Sequence, residues 1–95
     1  MSNQSSNEVE RIVDGFDYKR TVDRDPNHPQ YTGSDFWESG RFTVEARCMG
    51  GMSAHIDYYL FDGDKEIAYA YKGPASLRKW LLEHVGNAIN KGDTA

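Results

Sequence analysis

The chain has a single cysteine, Cys48, and only three prolines in 95 residues. One thiol excludes an internal disulfide and any cysteine-rich zinc site. At an inward strand position such a residue serves as a small core side chain rather than a reactive thiol. Long apolar runs are also missing, so no segment reads as a membrane span. The opening MSNQSSNEVE has neither the basic start nor the apolar stretch of a signal peptide, and a soluble, cytoplasmic protein is expected. Positive charge is in deficit: 11 Lys and Arg against 15 Asp and Glu give a net charge of −4. That balance disfavours non-specific nucleic-acid binding and suits a basic partner surface.

Catalytic signatures are lacking as well. There is no phosphate loop, nucleophile elbow, CxxC, HExxH or EF-hand pattern. The stretch FDGDKE looks like the start of a calcium loop, yet the bidentate glutamate that such a loop needs downstream is not there. Turn chemistry accounts for it better, and neither a metal nor another cofactor is expected.

What is present is enough apolar content for one modest core: 38% hydrophobic and 13% aromatic residues. Residues 1–6 and 91–95 are polar and expected to be disordered, leaving 7–90 as a single domain. Asn7 with Glu10 reads as a capping box, followed by Val9, Ile12, Val13 and Phe16 at helical spacing and Gly15 as a stop. FDYKRTV alternates weakly, as an edge strand would. DPNHPQYTGS is turn chemistry throughout, and Phe36-Trp37 reads as a loop plug over the edge of a core.

The clearest signal is strand alternation. In RFTVEARCM, Phe42, Val44, Ala46 and Cys48 face one way and Arg41, Thr43, Glu45 and Arg47 the other. Residues 54–61 place Ala54, Ile56, Tyr58 and Leu60 opposite to His55, Asp57, Tyr59 and Phe61. A third run sets Ile67, Tyr69 and Tyr71 against Ala68 and Ala70. An Asp62-Gly63 turn would pair Tyr58 with Ile67, Ile56 with Tyr69 and Ala54 with Tyr71, and sliding to Gly63-Asp64 keeps the same faces. A two-residue Gly50-Gly51 turn would put core residues on the polar face, so an odd loop is expected. A Met49-Gly50-Gly51 loop pairs Phe42 with Tyr58, Val44 with Ile56 and Ala46 with Ala54. Finally, Gly73-Pro74 opens a helix carrying Leu77, Leu81, Val85 and Ile89 as its apolar stripe, with Trp80 and His84 beside it.

The expected fold is α+β: a three- to four-stranded antiparallel meander, covered on one face by the C-terminal helix, with a short N-terminal helix at an edge. Tyr58, Tyr69 and Tyr71 then point into the core, and the outer face carries the candidate contact surface. That surface comprises Arg47, His55, Asp57, Tyr59 and Phe61, with Asp62 and Asp64 at an acidic hairpin tip. Tyrosine suits such a role because it buries a large ring at low entropic cost and keeps a polar tip.

His55, Asp57 and Glu45 are the one constellation that could support catalysis, with Glu45 expected opposite His55. Cross-strand charge pairs kept for stability explain the same residues. His28 and His84 lack ligand spacing. Stacking of bases on Tyr59 and Phe61, with Arg41, Arg47 and Lys72 nearby, is a further alternative, opposed by Asp57, Glu45 and Glu66 on the same face.

RFTVEA and the three-strand-then-helix ending resemble the double-stranded-RNA-binding domain, but PASLRKW replaces that family's basic helix start. EIAYAY followed by GPASLRKWLLEHV is similar in architecture to small phage-encoded inhibitors such as anti-CRISPR proteins. The similarity covers the last half of the chain. It implies a non-enzymatic inhibitor or adaptor that blocks a larger basic or nucleic-acid-binding protein. A homodimer through an exposed edge strand is the other association the pattern allows.

Overall fold

In the computed structural model, residues 3–23, 26–27, 30–51 and 54–94 are described, so His28 lies outside the described residues. Helix α1 spans Asn3–Asp14; strands β1 to β5 span Asp17–Asp23, Tyr31–Ser39, Phe42–Met49, His55–Asp62 and Lys65–Ala70; helix α2 spans Leu77–Thr94. The strands form one antiparallel sheet in the order β1-β2-β3-β4-β5. The α+β class and its order follow the sequence reading, but the sheet has five strands rather than three or four. Among the described residues, no helix is long and apolar enough to cross a membrane.

The additional strand is β2, which runs through the segment read as turn and plug. Gly33, Ser34, Asp35 and Glu38 are poor strand formers, yet pairing with β3 overrides that preference. Alternation then separates the aromatic pair: Trp37 faces Val44 and the core, whereas Phe36 points to the other side.

Both helices lie on a single face of the sheet. Val9 and Val13 of α1 and Leu81, Val85 and Ile89 of α2 close over Phe42, Val44 and Leu60, the last fully buried. Complete burial of a Leu, Phe or Val side chain contributes about 1.5–3 kcal/mol. The helices are also tied to each other by Arg78, whose Nε lies 3.1 Å from Asp14 Oδ1 and whose NH2 lies 3.3 Å from Oδ2. That exposed pair adds little stability.

Helix ends differ from the expectation. α1 begins at Asn3, ahead of the Asn7 cap, and α2 continues through Gly86 to Thr94, so both helices pass the 7–90 limits. α2 begins at Leu77 rather than at Pro74, because Ser76 caps it: Ser76 Oγ accepts the Lys79 N–H at 3.3 Å. At the end of α1, Gly15 N–H donates to Ile12 O, which also accepts the Ser39 hydroxyl at 2.6 Å.

The loop between β3 and β4 is odd in length, as parity required, but it holds five residues, 50–54, instead of three. Val44 therefore faces Leu60, Ala46 faces Tyr58 and Cys48 faces Ile56. Each partner moves by four residues and every side chain keeps its face. Between β4 and β5 the turn is Gly63-Asp64, with Asp62 opposite Lys65. A bulge at Ile67 then changes parity. Ile67 and Ala68 both pack on the core, and Tyr69 emerges on the opposite face.

This corrects the expected inward set. Tyr58 and Ile67 pack against the core, but Tyr69 is 47% exposed and Tyr71 59%. Ile56 is on the helix side, yet it is 42% exposed because the core residues lie toward the other end of the sheet.

Candidate functional site

The face that carries no helix is organised in rows of residues standing directly opposite one another. The central row crosses all five strands: Arg20, Phe36, Glu45, Tyr59 and Tyr69. On one side lie Asp17, Glu38, Thr43, Phe61 and Glu66, and on the other Val22, Ser34, Arg47 and Asp57. Tyr31, Met49 and His55 extend the pattern toward the loop end.

Side chains in the central rows pack against their neighbours. The Arg47 guanidinium sits 4.4 Å from the Tyr59 ring centre, and the Tyr59 and Tyr69 rings are 4.9 Å apart. Phe61 stacks beside Tyr59 at 6.4 Å, and Arg20 lies 4.3 Å over Phe36. Such contacts are each worth about 0.5–1.5 kcal/mol and keep the rings in defined orientations.

Two carboxylates are buried beneath this layer. Glu45 is 6% exposed; its Oε2 accepts the Ser34 hydroxyl at 2.7 Å and Arg47 Nε at 3.1 Å, and its Oε1 accepts Arg47 NH2 at 3.3 Å. Tyr31 in turn donates to Ser34 Oγ at 2.9 Å, and Arg47 NH1 reaches the Tyr59 hydroxyl at 3.4 Å. The hydrogen bond to Glu45 holds the Arg47 guanidinium above its already high ordinary pKa. Next to this network is a shallow cavity of about 250 Å³ lined by Tyr31, Glu45, Arg47 and Met49.

Asp57, also 6% exposed, serves the backbone. Its Oδ1 accepts the Lys72 N–H at 2.9 Å, where the chain leaves β5 with Lys72 at φ 63° and Gly73 at φ 82°. His55 Nε2 lies 3.3 Å from the same oxygen, and the His55 ring meets Tyr71 edge-on at 5.0 Å. Partial loss of solvent, reinforced by the Asp57 charge, pushes the exposed Tyr69 phenol up from its ordinary value.

No family model, curated protein or solved structure matches the chain.

Of the residues singled out in the sequence, Arg47, His55, Asp57, Tyr59 and Phe61 share the uncovered face. Asp57 gives it almost no accessible charge. Asp62 and Asp64 are at the turn beyond Phe61, and Asp62 Oδ1 is bound by Arg41 Nε at 2.9 Å. The expected Glu45–His55 apposition is overturned by the register: Glu45 faces Tyr59, Arg47 faces Asp57, and His55 faces Met49. His55 and Asp57 thus come together, whereas Glu45 is taken up by Ser34 and Arg47. Among the described residues, no group of three His, Cys, Asp or Glu side chains is placed to hold a metal ion.

Phe36, Tyr69 and Arg20 were not anticipated as members of this face. Phe36 was hidden in a segment read as loop, and Tyr69 by a bulge that leaves no mark on the alternation. The aromatic content of DFWESG was the available signal.

Proposed function

We propose that the protein is a non-enzymatic binding module, an inhibitor or adaptor, that engages a larger protein through the uncovered face of its sheet. The observation that carries this reading is the central row, which places Phe36, Tyr59 and Tyr69 on β2, β4 and β5 on the side opposite both helices. Tyr69 is exposed and Phe36 and Tyr59 are partly so, and large accessible rings held in place by neighbours are the side chains that dominate protein interfaces. The buried polar groups beneath them are engaged by one another, which favours a scaffolding role for Glu45 and Asp57 over acid-base chemistry.

A phage-encoded inhibitor of the anti-CRISPR kind, acting in the cytoplasm without a cofactor, is the specific form of this reading that the architecture suggests. Self-association through a strand edge is a weaker reading. Both edge strands carry a bulge, at Lys19 in β1 and Ile67 in β5, and bulges discourage strand addition.

Single-stranded nucleic acid is a second reading with one observation in its favour. Two of the carboxylates that seemed to oppose it, Glu45 and Asp57, are buried and internally bonded. A gel shift at low salt separates the two readings, since binding to phosphates is strongest there.

The test of the first reading is capture from the native host with immobilised wild-type protein and with Phe36→Ala/Tyr69→Ala. The double variant should lose the partner while retaining a cooperative thermal transition. Undiminished capture by the folded variant would remove this face from consideration.

A further inference from the structure

We infer that the occupant of this face is a basic amphipathic helix of the partner protein, with its apolar side laid over Phe36, Tyr59 and Tyr69 and its Lys or Arg groups set against Asp17, Glu38 and Glu66. This rests on the protein-binding reading above and names the chemistry of the partner.

Accessible charge on the face is unevenly distributed. Glu45 and Asp57 are buried, and the guanidinium of Arg47 is committed to Glu45 and Tyr59. The row beside the aromatics is different. Asp17 stands directly opposite Glu38, and Glu66 occupies the same row on β5. Asp17 and Glu66 are exposed, and the Glu38 side chain is 42% exposed.

Like charges directly opposite each other on a sheet are destabilising. Arg20 relieves Glu38 only weakly, with NH1 at 4.0 Å and both side chains in solvent. The pair of carboxylates is therefore an unmet demand for a cation at the edge of an aromatic surface. A partner's Lys or Arg meets it.

Dimensions agree with a helix. Phe36 on β2 and Tyr69 on β5 are three strand spacings of about 4.8 Å apart, which gives the aromatic part of the row a length of about 14 Å, that of about 10 helical residues. Successive rows are about 6.7 Å apart along the strands. An amphipathic helix has a diameter of about 10 Å and can lay its apolar stripe on one row with its flank over the next.

The test uses fluorescence anisotropy with a labelled Leu/Lys amphipathic helical peptide, a Leu/Glu peptide of the same pattern, and oligo-dT. The Leu/Lys peptide should bind, the Leu/Glu peptide and oligo-dT should not, and Glu38→Lys/Glu66→Lys should weaken binding by about tenfold or more. Glu8→Lys/Glu83→Lys, an equal change in charge at exposed sites on α1 and α2, controls for net charge and should leave affinity within about twofold of wild type. Equal binding of both peptides, or equal weakening by Glu8→Lys/Glu83→Lys, would overturn the inferred basic helix. If Tyr69→Ala still weakens that binding, the face survives as the contact surface. Preference for oligo-dT would replace the protein reading with the nucleic-acid one, and binding of no probe would overturn the inference, while capture from the host decides the protein-binding reading separately.

Discussion

Tyr59 and Tyr69 stand directly opposite each other on β4 and β5, with ring centres 4.9 Å apart, on the face of the sheet that neither helix covers. Their apposition depends on the bulge at Ile67, which turns Tyr69 away from the core while Ile67 and Ala68 remain in it. One extra residue in an edge strand thus builds the aromatic centre of the proposed surface.

Removing either ring should have consequences unlike those of removing a core side chain. Tyr69→Ala should change the unfolding free energy by less than about 1 kcal/mol, since the ring is 47% exposed. Leu60→Ala, at a fully buried position, should cost about 2–5 kcal/mol. Urea unfolding of the two variants measures the contrast.

Arg47 should be important for folding as well as for the surface. Arg47→Ala leaves the Glu45 carboxylate, 6% exposed, without its cation and should destabilise by about 1–3 kcal/mol. In Glu45→Gln/Arg47→Ala the uncompensated charge is gone, so the combined loss should fall short of the sum of the single changes. A double-mutant cycle by chemical unfolding measures that coupling.

Lys72 adopts φ 63°, a conformation that strains a residue with a Cβ, and its N–H is held by Asp57 at 2.9 Å. Lys72→Gly should therefore be neutral or stabilising by up to about 1 kcal/mol. Asp57→Ala should destabilise by about 1–3 kcal/mol, because a turn N–H loses its acceptor. Gly73→Ala should also destabilise, with φ 82° and a Cβ that would come within 3.2 Å of the Tyr58 ring. Thermal unfolding of the three variants distinguishes these signs.

Alkaline conditions should weaken the fold. Burial pushes the Cys48 thiol above its ordinary 9.0, and partial desolvation raises the Tyr69 phenol above 10.0. Groups whose pKa is raised by folding bind more protons in the native state. Their contribution is complete below the unfolded values and is lost as pH rises through them toward the native ones. Stability should therefore fall from about pH 9 upward, and Cys48 should react with a thiol reagent more slowly than a free thiol at pH 8. Cys48→Ala should remove its part of the pH slope.

Much of the sheet was legible because side-chain parity is a two-state property. The odd loop between β3 and β4 was required to keep Val44 and Leu60 on the core side, and any odd length satisfies it. Loop length itself depends on backbone contacts such as Gly50 N–H to Gln30 O, which join two distant loops and cannot be read from local pattern. β2 was missed for a related reason. Its residues are poor strand formers on their own, and their state is decided by β3, through Trp37 against Val44 and Ser34 bound to Glu45. That Arg47, His55, Asp57, Tyr59 and Phe61 share one side of the sheet was legible from alternation. The accessible character of that side was not, because burial of Asp57 and emergence of Tyr69 come from the bulge and from the turn at Lys72.

The uncovered face is the proposed site of partner binding. Hydroxyl-radical footprinting of the protein with its captured partner tests this most directly, because the same experiment reports both faces. Protection of Phe36, Tyr59 and Tyr69, with Trp80 and Leu77 on α2 unchanged, is the predicted result. Protection confined to α1 and α2, with the three aromatic residues as reactive as in the free protein, would contradict it.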